Sequence, residues 1–364
     1  MKVAIIAPLV SAIREPQAGG SQAFVSDLAR GLTGRGHQVH VYAASGSEIP
    51  GVKVIDTGID PQSLIATRYR ASSPAARDQA PAETAFASVY SAVREIRYDI
   101  VHNHAFDAPA IRLAQQLAAP VVHTLHLPPD EIVAAALRDA AQRDGRPAVA
   151  GVSAFQASAW RRVVRVDAIL PPYVPTRVIP WSSAAGAGAV FAGRLSAEKG
   201  AAAAIDIARA AGLRIDVYGD SYDAEYARAQ IDPRRDAPGV AVHQGVPRAS
   251  LWAVMVRAAV VICPSRWDEP FGMAAAEAQA CGTPVVAFKR GALGEVIVEG
   301  VTGFLVAPDD VQAAADGVRK ITEISRPACR EHAESHLDLE WSLDAHEQLY
   351  SRVVSPGVGT AAGG

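Results

Sequence analysis

The chain has 364 residues, 49% of them hydrophobic, and a formal net charge of −3 at pH 7. That length is enough for two hydrophobic cores, since domains commonly have roughly 100–200 residues. The charge gives no electrostatic reason to expect nucleic acid or a strongly anionic membrane as a partner, and no stretch reaches the roughly 20 apolar residues of an integral membrane segment.

The first half of the chain alternates between predicted strands and predicted helices. Helical patterns cover residues 21–34 and 85–96. The predicted strands are 3–7, 38–42, 100–102, 121–125 and 149–152. This alternation predicts an α/β domain with a doubly wound parallel sheet over residues 1–170.

A second domain of the same type is predicted after a break in the pattern. Four prolines between positions 171 and 180, then an Ala- and Gly-rich run at 182–188, predict an interdomain linker. The strands predicted beyond it are 189–192, 214–218, 240–243, 258–263, 284–288 and 303–306. They assign residues 188–338 to a second doubly wound domain, followed by an amphipathic helix at 339–353 and a flexible tail at 355–364.

Cysteine usage and the N terminus both favour a cytoplasmic protein. The three cysteines are odd in number and fit buried thiols in a reducing compartment better than a disulfide framework. The apolar run at 3–10 superficially mimics a signal peptide, but it is short and broken by Pro8, so we interpret it as the first buried strand. Peripheral membrane association is left open.

Four histidines suggest a competing class of function. His102 and His104 alternate along one strand and would face the same side of it, and His123 and His126 follow about twenty residues later. Such a cluster could hold a metal ion in a metal-dependent hydrolase. The surrounding sequence offers no carboxylate or thiolate ligand in a familiar metal spacing, so we expect no metal here.

The most informative segment is residues 263–306. Glu269 and Glu277 have seven residues between them and lie on either side of a Pro-Phe-Gly turn that opens a predicted helix. Loops at the carboxyl ends of parallel strands bind ligands in α/β sheets, and a helix N-terminus favours an anion. The segment therefore predicts a site for a phosphate-bearing ligand. The alternative is that both acids only favour the helix N-terminus through its dipole, by roughly 0.3–1 kcal/mol each.

The full string from Pro264-Ser265 to Gly282-Thr283-Pro284 resembles the donor-binding signature of the retaining GT-B glycosyltransferases of family 4. The resemblance implies two Rossmann-like domains facing each other across a cleft, with the last helix crossing back onto the first domain. It implies that Glu269 binds sugar hydroxyls of a nucleotide-sugar donor and that Glu277 binds the ribose. The backbone of Phe271, Gly272 and Met273 would contact sugar and phosphate.

Two further elements match the same family. Gly193-Arg194-Leu195 with Glu198-Lys199-Gly200 matches the element whose Arg194 and Lys199 grip the donor diphosphate, where fixed cations stabilise the leaving group without a metal. The alternative is a pair of solvated cations at the ends of a loop. Gly19-Gly20, before a helix, matches the family's phosphate-binding glycine loop, with a flexible surface loop as the alternative.

The strands that carry the histidines also match the family. By this resemblance His126 touches the transferred sugar and its backbone carbonyl faces the reacting carbon, while His102 and His104 structure the floor of the cleft. The nucleotide base would lie near residues 244–248, including Val246. Relatives that use GDP carry acids there, whereas this chain has Pro247 and Arg248, which favours UDP.

The sequence thus predicts a metal-independent, retaining glycosyltransferase without a cofactor, which moves a sugar from a UDP-sugar to an acceptor hydroxyl. A GT-B nucleotide-sugar epimerase or phosphorylase and a non-catalytic nucleotide-sugar-binding module compete with this interpretation. The chain departs from the family at 171–175, where the usual Pro-Asn-Gly-Val-Asp is absent, and at Gly291-Ala292, where a second glycine is usual. The acceptor, whether small molecule, lipid or glycan, is set by variable loops at 11–17 and 59–80 and stays unassigned.

Overall fold

A computed structural model describes residues 1–64, 78–142 and 146–355 of the chain. The described residues form two compact units. Unit 1 contains Met1–Arg14, Ser21–Pro171 and the described residues from Ser342 on, and unit 2 contains Glu15–Gly20 and Pro172–Trp341. In the described ranges no helix combines the length and the apolar character that crossing a membrane requires.

The described part of unit 1 is built on one parallel sheet. Its strands are β1 (Lys2–Ile6), β2 (Gln38–Ala43), β3 (Lys53–Asp56), β4 (Ile100–Asn103), β5 (Val121–Leu125), β6 (Ala148–Gly151) and β7 (Ala168–Ile169). They lie in the order β3-β2-β1-β4-β5-β6-β7. Ile5 of β1 is in register with Val41 on one side and His102 on the other.

Helices cover the sheet of unit 1. They are α1 (Gly20–Gly34), α2 (Ala80–Arg94), α3 (Ala108–Ala114), α4 (Glu131–Ala141), α5 (Ala154–Arg161) and, from Ser342 on, α14 (Leu339–Val354). The central strand β1 is apolar from Val3 to Ile6 because both of its faces are buried, and Ile5 and Ile6 are fully buried. One core packs α2 onto β1 and β4 through Phe86 and Tyr90, and another packs α4 and α5 around Trp160.

Unit 2 repeats this architecture. Residues 172–341, all of them described, form strands β8 (Ala189–Ala192), β9 (Ile215–Tyr218), β10 (Val240–His243), β11 (Val260–Cys263), β12 (Val285–Phe288) and β13 (Gly303–Val306). The sheet is parallel, in the order β10-β9-β8-β11-β12-β13. Its helices are α6 (Ala201–Ala210), α7 (Ala224–Tyr226), α8 (Asp232–Arg235), α9 (Arg248–Arg257), α10 (Met273–Ala280), α11 (Leu293–Val296), α12 (Val311–Arg319) and α13 (Arg326–His336).

The two parallel, helix-covered sheets confirm the α/β prediction, and each predicted strand is present within two residues of its predicted ends. Two strands were not predicted. Edge strand β3 has a Lys and an Asp at its exposed ends and no apolar run, and β7 has only two residues. Helix α2 begins at Ala80, five residues earlier than predicted, with a proline in its first turn.

Residues 172–188, which were predicted as an interdomain linker, pack onto unit 2. The Val174 amide donates to the Leu337 carbonyl at 2.9 Å, and Val174 and Ile179 are buried in that unit's core. Residues 15–20, predicted with the first domain, also group with unit 2. Of the predicted acceptor loop 59–80 and tail 355–364, residues 65–77 and 356–364 lie outside the described ranges.

Cys263, Cys281 and Cys329, all within described ranges, are unpaired, and the last two are buried. Burial raises the pKa of the Cys263 thiol to about 12 and that of the Cys329 thiol to about 12. These thiols are therefore protonated and inert at neutral pH.

Candidate functional site

Most of the predicted site residues lie at the carboxyl edge of the unit 2 sheet. Strands β8, β11 and β12 are neighbours in the sheet, and they run parallel. The segments that follow them, 193–200, 264–272 and 289–292, therefore emerge side by side at one edge, where open α/β sheets bind ligands.

At the centre of this edge, the partly buried Lys199 forms an ion pair with the buried Glu269. The Lys199 ammonium lies 2.7 Å from Glu269 Oε1, and the Ser265 hydroxyl donates to the same oxygen at 2.5 Å. Glu269 is 8% exposed, and Lys199 Nζ lies 4.8 Å from the centroid of the Trp267 ring. Burial alone would raise the pKa of Glu269, but the charge of Lys199 and the hydrogen bonds outweigh it, so the pKa is lowered and the carboxylate is ionised.

Two glycines let the surrounding segments approach this pair. Gly200 has φ of +74°, and a side chain there would place its Cβ 2.1 Å from the Pro264 carbonyl oxygen. Gly291 has φ of +57°, and its Cβ would lie 2.3 Å from the backbone N and O of Glu269. The next residue, Ala292, donates its amide to the Glu269 carbonyl at 2.8 Å. The backbone of Glu269 is therefore fixed by the segment that follows β12.

Arg194 lies at the other end of the loop that carries Lys199. Its guanidinium forms an ion pair with Glu198 and lies 4.6 Å above the Tyr222 ring. The amide of Arg266 donates to the Glu198 carbonyl at 2.8 Å, which links this loop to the one that carries Glu269. The structure thus brings both predicted cations to this edge, each paired with a carboxylate.

Glu277 lies within α10, which begins at Met273. It is 6% exposed, and Arg248 donates two hydrogen bonds to its Oε1, from Nε at 2.9 Å and from Nη2 at 2.7 Å. Gly272 caps the helix with φ of +107° and a Cβ position 2.6 Å from Leu293 Cδ2. Helix α10 begins directly after the segment that carries Glu269, so its first N–H groups, which lack a partner within a helix, lie at the same edge of the sheet.

The remaining predicted donor residues also belong to unit 2. Phe271 is buried against Tyr173, with ring centroids 5.8 Å apart, and Val246 is half-buried in the loop after β10. Gly19 and Gly20 group with this unit, and a Cβ at Gly20 would lie 3.1 Å from Met273 Sδ. The predicted glycine loop therefore abuts the start of α10, and Glu15 before it accepts the Arg248 amide at 3.0 Å.

His126 is the predicted site residue that lies in unit 1. Its Nε2 is 2.9 Å from His104 Nδ1, and its ring packs edge-on against Phe106. His102 bonds Tyr350 and Thr124, both at 2.7 Å. Burial lowers the pKa of His126 to about 3, and burial also lowers the pKa of His102 and His104 well below the ordinary value.

These histidines are consequently neutral at physiological pH and bond to one another or to hydroxyls. In the ranges that the structure describes, no group of three His, Cys, Asp or Glu side chains is arranged to hold a metal ion.

Sequence reasoning did not assign roles to Ser265, Trp267 or the Arg248 side chain. Ser265 could have been found, because it stands four residues before Glu269 in the same motif. Arg248 entered the sequence analysis only because relatives that use GDP carry acids in its segment. Its bond to Glu277, 29 positions away, depends on how α9 packs on α10.

Comparisons with known proteins agree with this architecture. The family model described as glycosyl transferases group 1 matches residues 187–336, and that described as glycosyltransferase family 4 matches residues 18–177. The D-inositol 3-phosphate glycosyltransferase of Kribbella flavida is 28% identical over 96% of this chain and 94% of its own. The glycogen synthase of Mycobacterium tuberculosis is 31% identical over 44% of this chain and 41% of its own.

Solved structures show the same fold at lower identity. The sucrose-phosphate synthase of Thermosynechococcus elongatus superposes with a TM-score of 0.78 at 18% identity, covering 98% of this chain and all of its own. The Anabaena protein HepE, solved in complex with UDP and glucose, superposes with a TM-score of 0.73 at 20% identity, covering 96% of this chain and 99% of its own.

Proposed function

Because the chain belongs to the group 1 glycosyltransferases and has the α/β GT-B fold, we propose that it transfers a sugar from a UDP-sugar to an acceptor hydroxyl, with retention of the anomeric configuration and without a metal. The observation that carries the proposal is the cluster of Lys199, Ser265 and Glu269 at the carboxyl edge of the unit 2 sheet, with Glu277 on the adjoining helix.

In the proposed complex, Glu269 accepts hydrogen bonds from hydroxyls of the donor sugar. An ionised carboxylate is the right acceptor for a pair of hydroxyls, and the lowered pKa of Glu269 keeps it ionised throughout the neutral range. Glu277 accepts from the ribose. The backbone of Phe271, Gly272 and Met273 contacts sugar and phosphate, since the start of α10 offers N–H groups without helical partners.

Lys199 and Arg194 would stabilise the diphosphate as the sugar–phosphate bond breaks. Negative charge grows on the leaving group at that step, and fixed cations in a site poor in water lower the energy of that charge without the reorganisation that water would need. In the structure both cations already have carboxylate partners, Glu269 and Glu198. Diphosphate binding thus adds a second anion to each cation, or replaces the first.

Retention follows if the acceptor hydroxyl attacks on the face from which the diphosphate leaves, with the departing phosphate oxygen taking its proton. The backbone carbonyl of His126 would face the reacting carbon. Its side chain is neutral and held through Nε2 by His104, so it would orient the sugar rather than act as a charged acid.

UDP is the proposed nucleotide for two reasons. The segment at 244–248 carries Pro247 and Arg248 where GDP-using relatives carry acids. The neighbour HepE was solved with UDP and glucose and with UDP-glucose. We propose a cytoplasmic location on the unpaired, buried cysteines alone.

The acceptor class is proposed from the relatives. Several full-length relatives are named D-inositol 3-phosphate glycosyltransferases, at 26–29% identity. A phosphorylated cyclic polyol is therefore the first acceptor to test, with glucans second because of the glycogen synthase relatives.

The test is a transfer assay with purified protein, UDP-, GDP- and ADP-sugars, and inositol phosphates or glucans as acceptors, with and without excess EDTA. We expect transfer from a UDP-sugar that persists in EDTA, and a product whose new linkage has the donor's anomeric configuration by proton NMR. An inverted anomeric centre would overturn the retaining mechanism. Activity lost in EDTA and restored by zinc would revive the metal-dependent alternative.

A further inference from the structure

Glu277 is held by Arg248 in an arrangement that uses only one of its carboxylate oxygens. Both guanidinium hydrogen bonds, from Nε and from Nη2, end on Oε1. Oε2 accepts no hydrogen bond from any residue that the structure describes, and it is not sealed from solvent. One oxygen is thus fixed by a cation, and the other is left to face a ligand.

Arg248 is itself fixed in place. It is the first residue of α9, and its backbone amide donates to the Glu15 carboxylate at 3.0 Å. Its side chain is 9% exposed, and the guanidinium lies 5.0 Å from the ring centroid of Trp252, one turn further along the helix. A guanidinium that stacks on an aromatic ring and donates hydrogen bonds to a carboxylate has little rotational freedom, so it can hold Glu277 in one rotamer.

Two other buried arginines in unit 2 show what a structural role looks like in this protein. Arg326 donates to the backbone carbonyls of Ala258 and Val256, at 2.7 and 2.6 Å. Arg330 donates to the carbonyls of Ala280 and Thr176, at 2.6 and 2.9 Å. Both bond mainly to backbone and join segments of the fold. Arg248 instead directs two of its N–H groups to the carboxylate of Glu277, which in the proposed function contacts the nucleotide-sugar.

We propose that Arg248 is the positioning residue for the donor's ribose: it holds the Glu277 carboxylate through Oε1, so that Oε2 accepts the ribose hydroxyl. The inference rests on the proposed function, because it takes Glu277 to be the ribose ligand. It adds a residue that acts on the ribose hydroxyls through Glu277.

The experiment measures hydroxyl recognition rather than affinity alone. Wild-type protein is titrated calorimetrically with UDP, GDP and ADP, and the tightest of them is compared with its 2′-deoxy and 3′-deoxy analogues. A hydrogen bond from a ribose hydroxyl to a carboxylate should make at least one analogue bind about tenfold more weakly. That ratio of dissociation constants is the readout.

Replacing Arg248 should collapse this ratio. In Arg248→Met the deoxy penalty should fall to about twofold or less, as in Glu277→Gln, because the carboxylate no longer has a fixed rotamer. Arg248→Lys, which can reach Oε1 from one nitrogen instead of two, should give an intermediate ratio. The double variant Arg248→Met/Glu277→Gln should match Glu277→Gln. Arg257→Met, an exposed arginine at the other end of the same helix, is the matched control and should keep the wild-type ratio.

The outcomes separate this inference from the proposed function. If wild-type protein binds none of the three nucleotides, the proposed function fails. If wild-type protein binds a nucleotide and Arg248→Met weakens it and its deoxy analogues by the same factor, Arg248 has a structural role only and the inference is overturned. If circular dichroism shows that Arg248→Met is unfolded, Arg248→Lys decides: an intermediate ratio supports the inference, and an unchanged ratio overturns it.

Discussion

Lys199 and Glu269 illustrate how much chemistry depends on one residue pair. The ammonium compensates a carboxylate that is 8% exposed, and the Ser265 hydroxyl supplies a second hydrogen bond to the same oxygen. A buried charge without a partner is strongly unfavourable, so neither side chain can be replaced without consequences for the other. In the proposed reaction the same cation also serves the diphosphate, which makes Glu269 a competitor for it in the free enzyme.

The two glutamates should therefore respond differently to truncation. Glu277→Ala should weaken UDP and UDP-sugar alike, by about 10-fold or more, since both ligands carry the ribose. Glu269→Ala should weaken mainly the UDP-sugar and leave UDP affinity equal or higher, because Lys199 is then free to bind the diphosphate. Titration calorimetry with both ligands measures this. Equal losses for both ligands in both variants would contradict the assignment.

Removal of the Lys199 charge should slow the transfer step itself. Loss of one group that stabilises developing charge commonly lowers kcat by about 100- to 1,000-fold. We expect a loss of this size in Lys199→Met and a smaller one in Lys199→Arg. Lys320→Met, at an exposed position after α12, is the matched control and should retain full activity. A Lys199→Met enzyme with normal kcat and only a raised KM would show that Lys199 contributes to binding but not to the transition state.

At this scale the sequence allowed the motif residues to be predicted but not their partners. Glu269 and Lys199 are predictable because each belongs to a recognisable short motif, although the bond between them spans 70 positions. The contact of Arg248 with Glu277 is set by the packing of α9 on α10, and no local pattern encodes it. Pairings of that kind require coordinates.

At the scale of elements, the segment after β12 fixes the loop that carries Glu269. The Ala292 amide donates to the Glu269 carbonyl at 2.8 Å, and Gly291 lies so close to the Glu269 backbone that there is no room for a Cβ. The sequence indicated that Gly291-Ala292 departs from the usual pair of glycines. In the structure the first position is the one without room for a Cβ, and Ala292 is accommodated as a buried residue.

Gly291→Ala should accordingly disturb the site and not only the fold. Its φ of +57° and a Cβ 2.3 Å from Glu269 N and O require the backbone of the Glu269 loop to move. We expect a loss of about 1–3 kcal/mol in the free energy of unfolding and weaker binding of a UDP-sugar than of UDP. Gly294→Ala is the matched control, because it lies within α11 and its Cβ meets nothing within 4 Å. It should be neutral or stabilising, by up to about 1 kcal/mol.

The elements themselves were largely predictable, for a physical reason. Central strands of a parallel sheet are buried on both faces, so β1 and β12 appear as uninterrupted apolar runs. Strand β3 lies at an edge and its side chains are half-exposed, so it gives no such signal. Residues 172–188 were interpreted as a linker because prolines interrupt periodicity, yet irregular backbone can pack as tightly as a helix, as Val174 does.

At the scale of the whole molecule, buried histidines couple the stability of unit 1 to pH. Burial lowers the pKa of six histidines in the described part of that unit, and for all of them except His40 the pKa is lowered to about 3 or 4 or well below the ordinary value. Burial lowers the pKa of His123 to about 3 and that of His346 to about 4. The other three with large shifts are His102, His104 and His126. Their neutral state is compatible with the fold because His102 bonds Tyr350 and Thr124, and His104 bonds His126.

The consequence is an acid-labile unit 1. A histidine whose pKa is depressed in the folded state binds its proton only after unfolding, so its contribution to stability is complete above the unfolded pKa of about 6.5 and is lost as pH falls below it. At pH 5.5 each such histidine should lower the free energy of unfolding by about 1.4 kcal/mol, and the five histidines with large shifts together should approach the roughly 5–15 kcal/mol that stabilises a typical domain.

We expect the urea midpoint of unit 1 to fall steeply between pH 6.5 and 5.0. Circular dichroism would follow unfolding, and limited proteolysis with mass spectrometry would assign the first cleavages to β4, β5 or α14. His123→Asn removes one of these titrating groups, so the pH dependence of the unfolding free energy should fall by about one proton. His123 is chosen because its Nε2 has no hydrogen bond among the described residues, so the substitution breaks no hydrogen bond at that atom. A midpoint equal at pH 7.5 and 5.5 would show that these histidines are not buried in the neutral form.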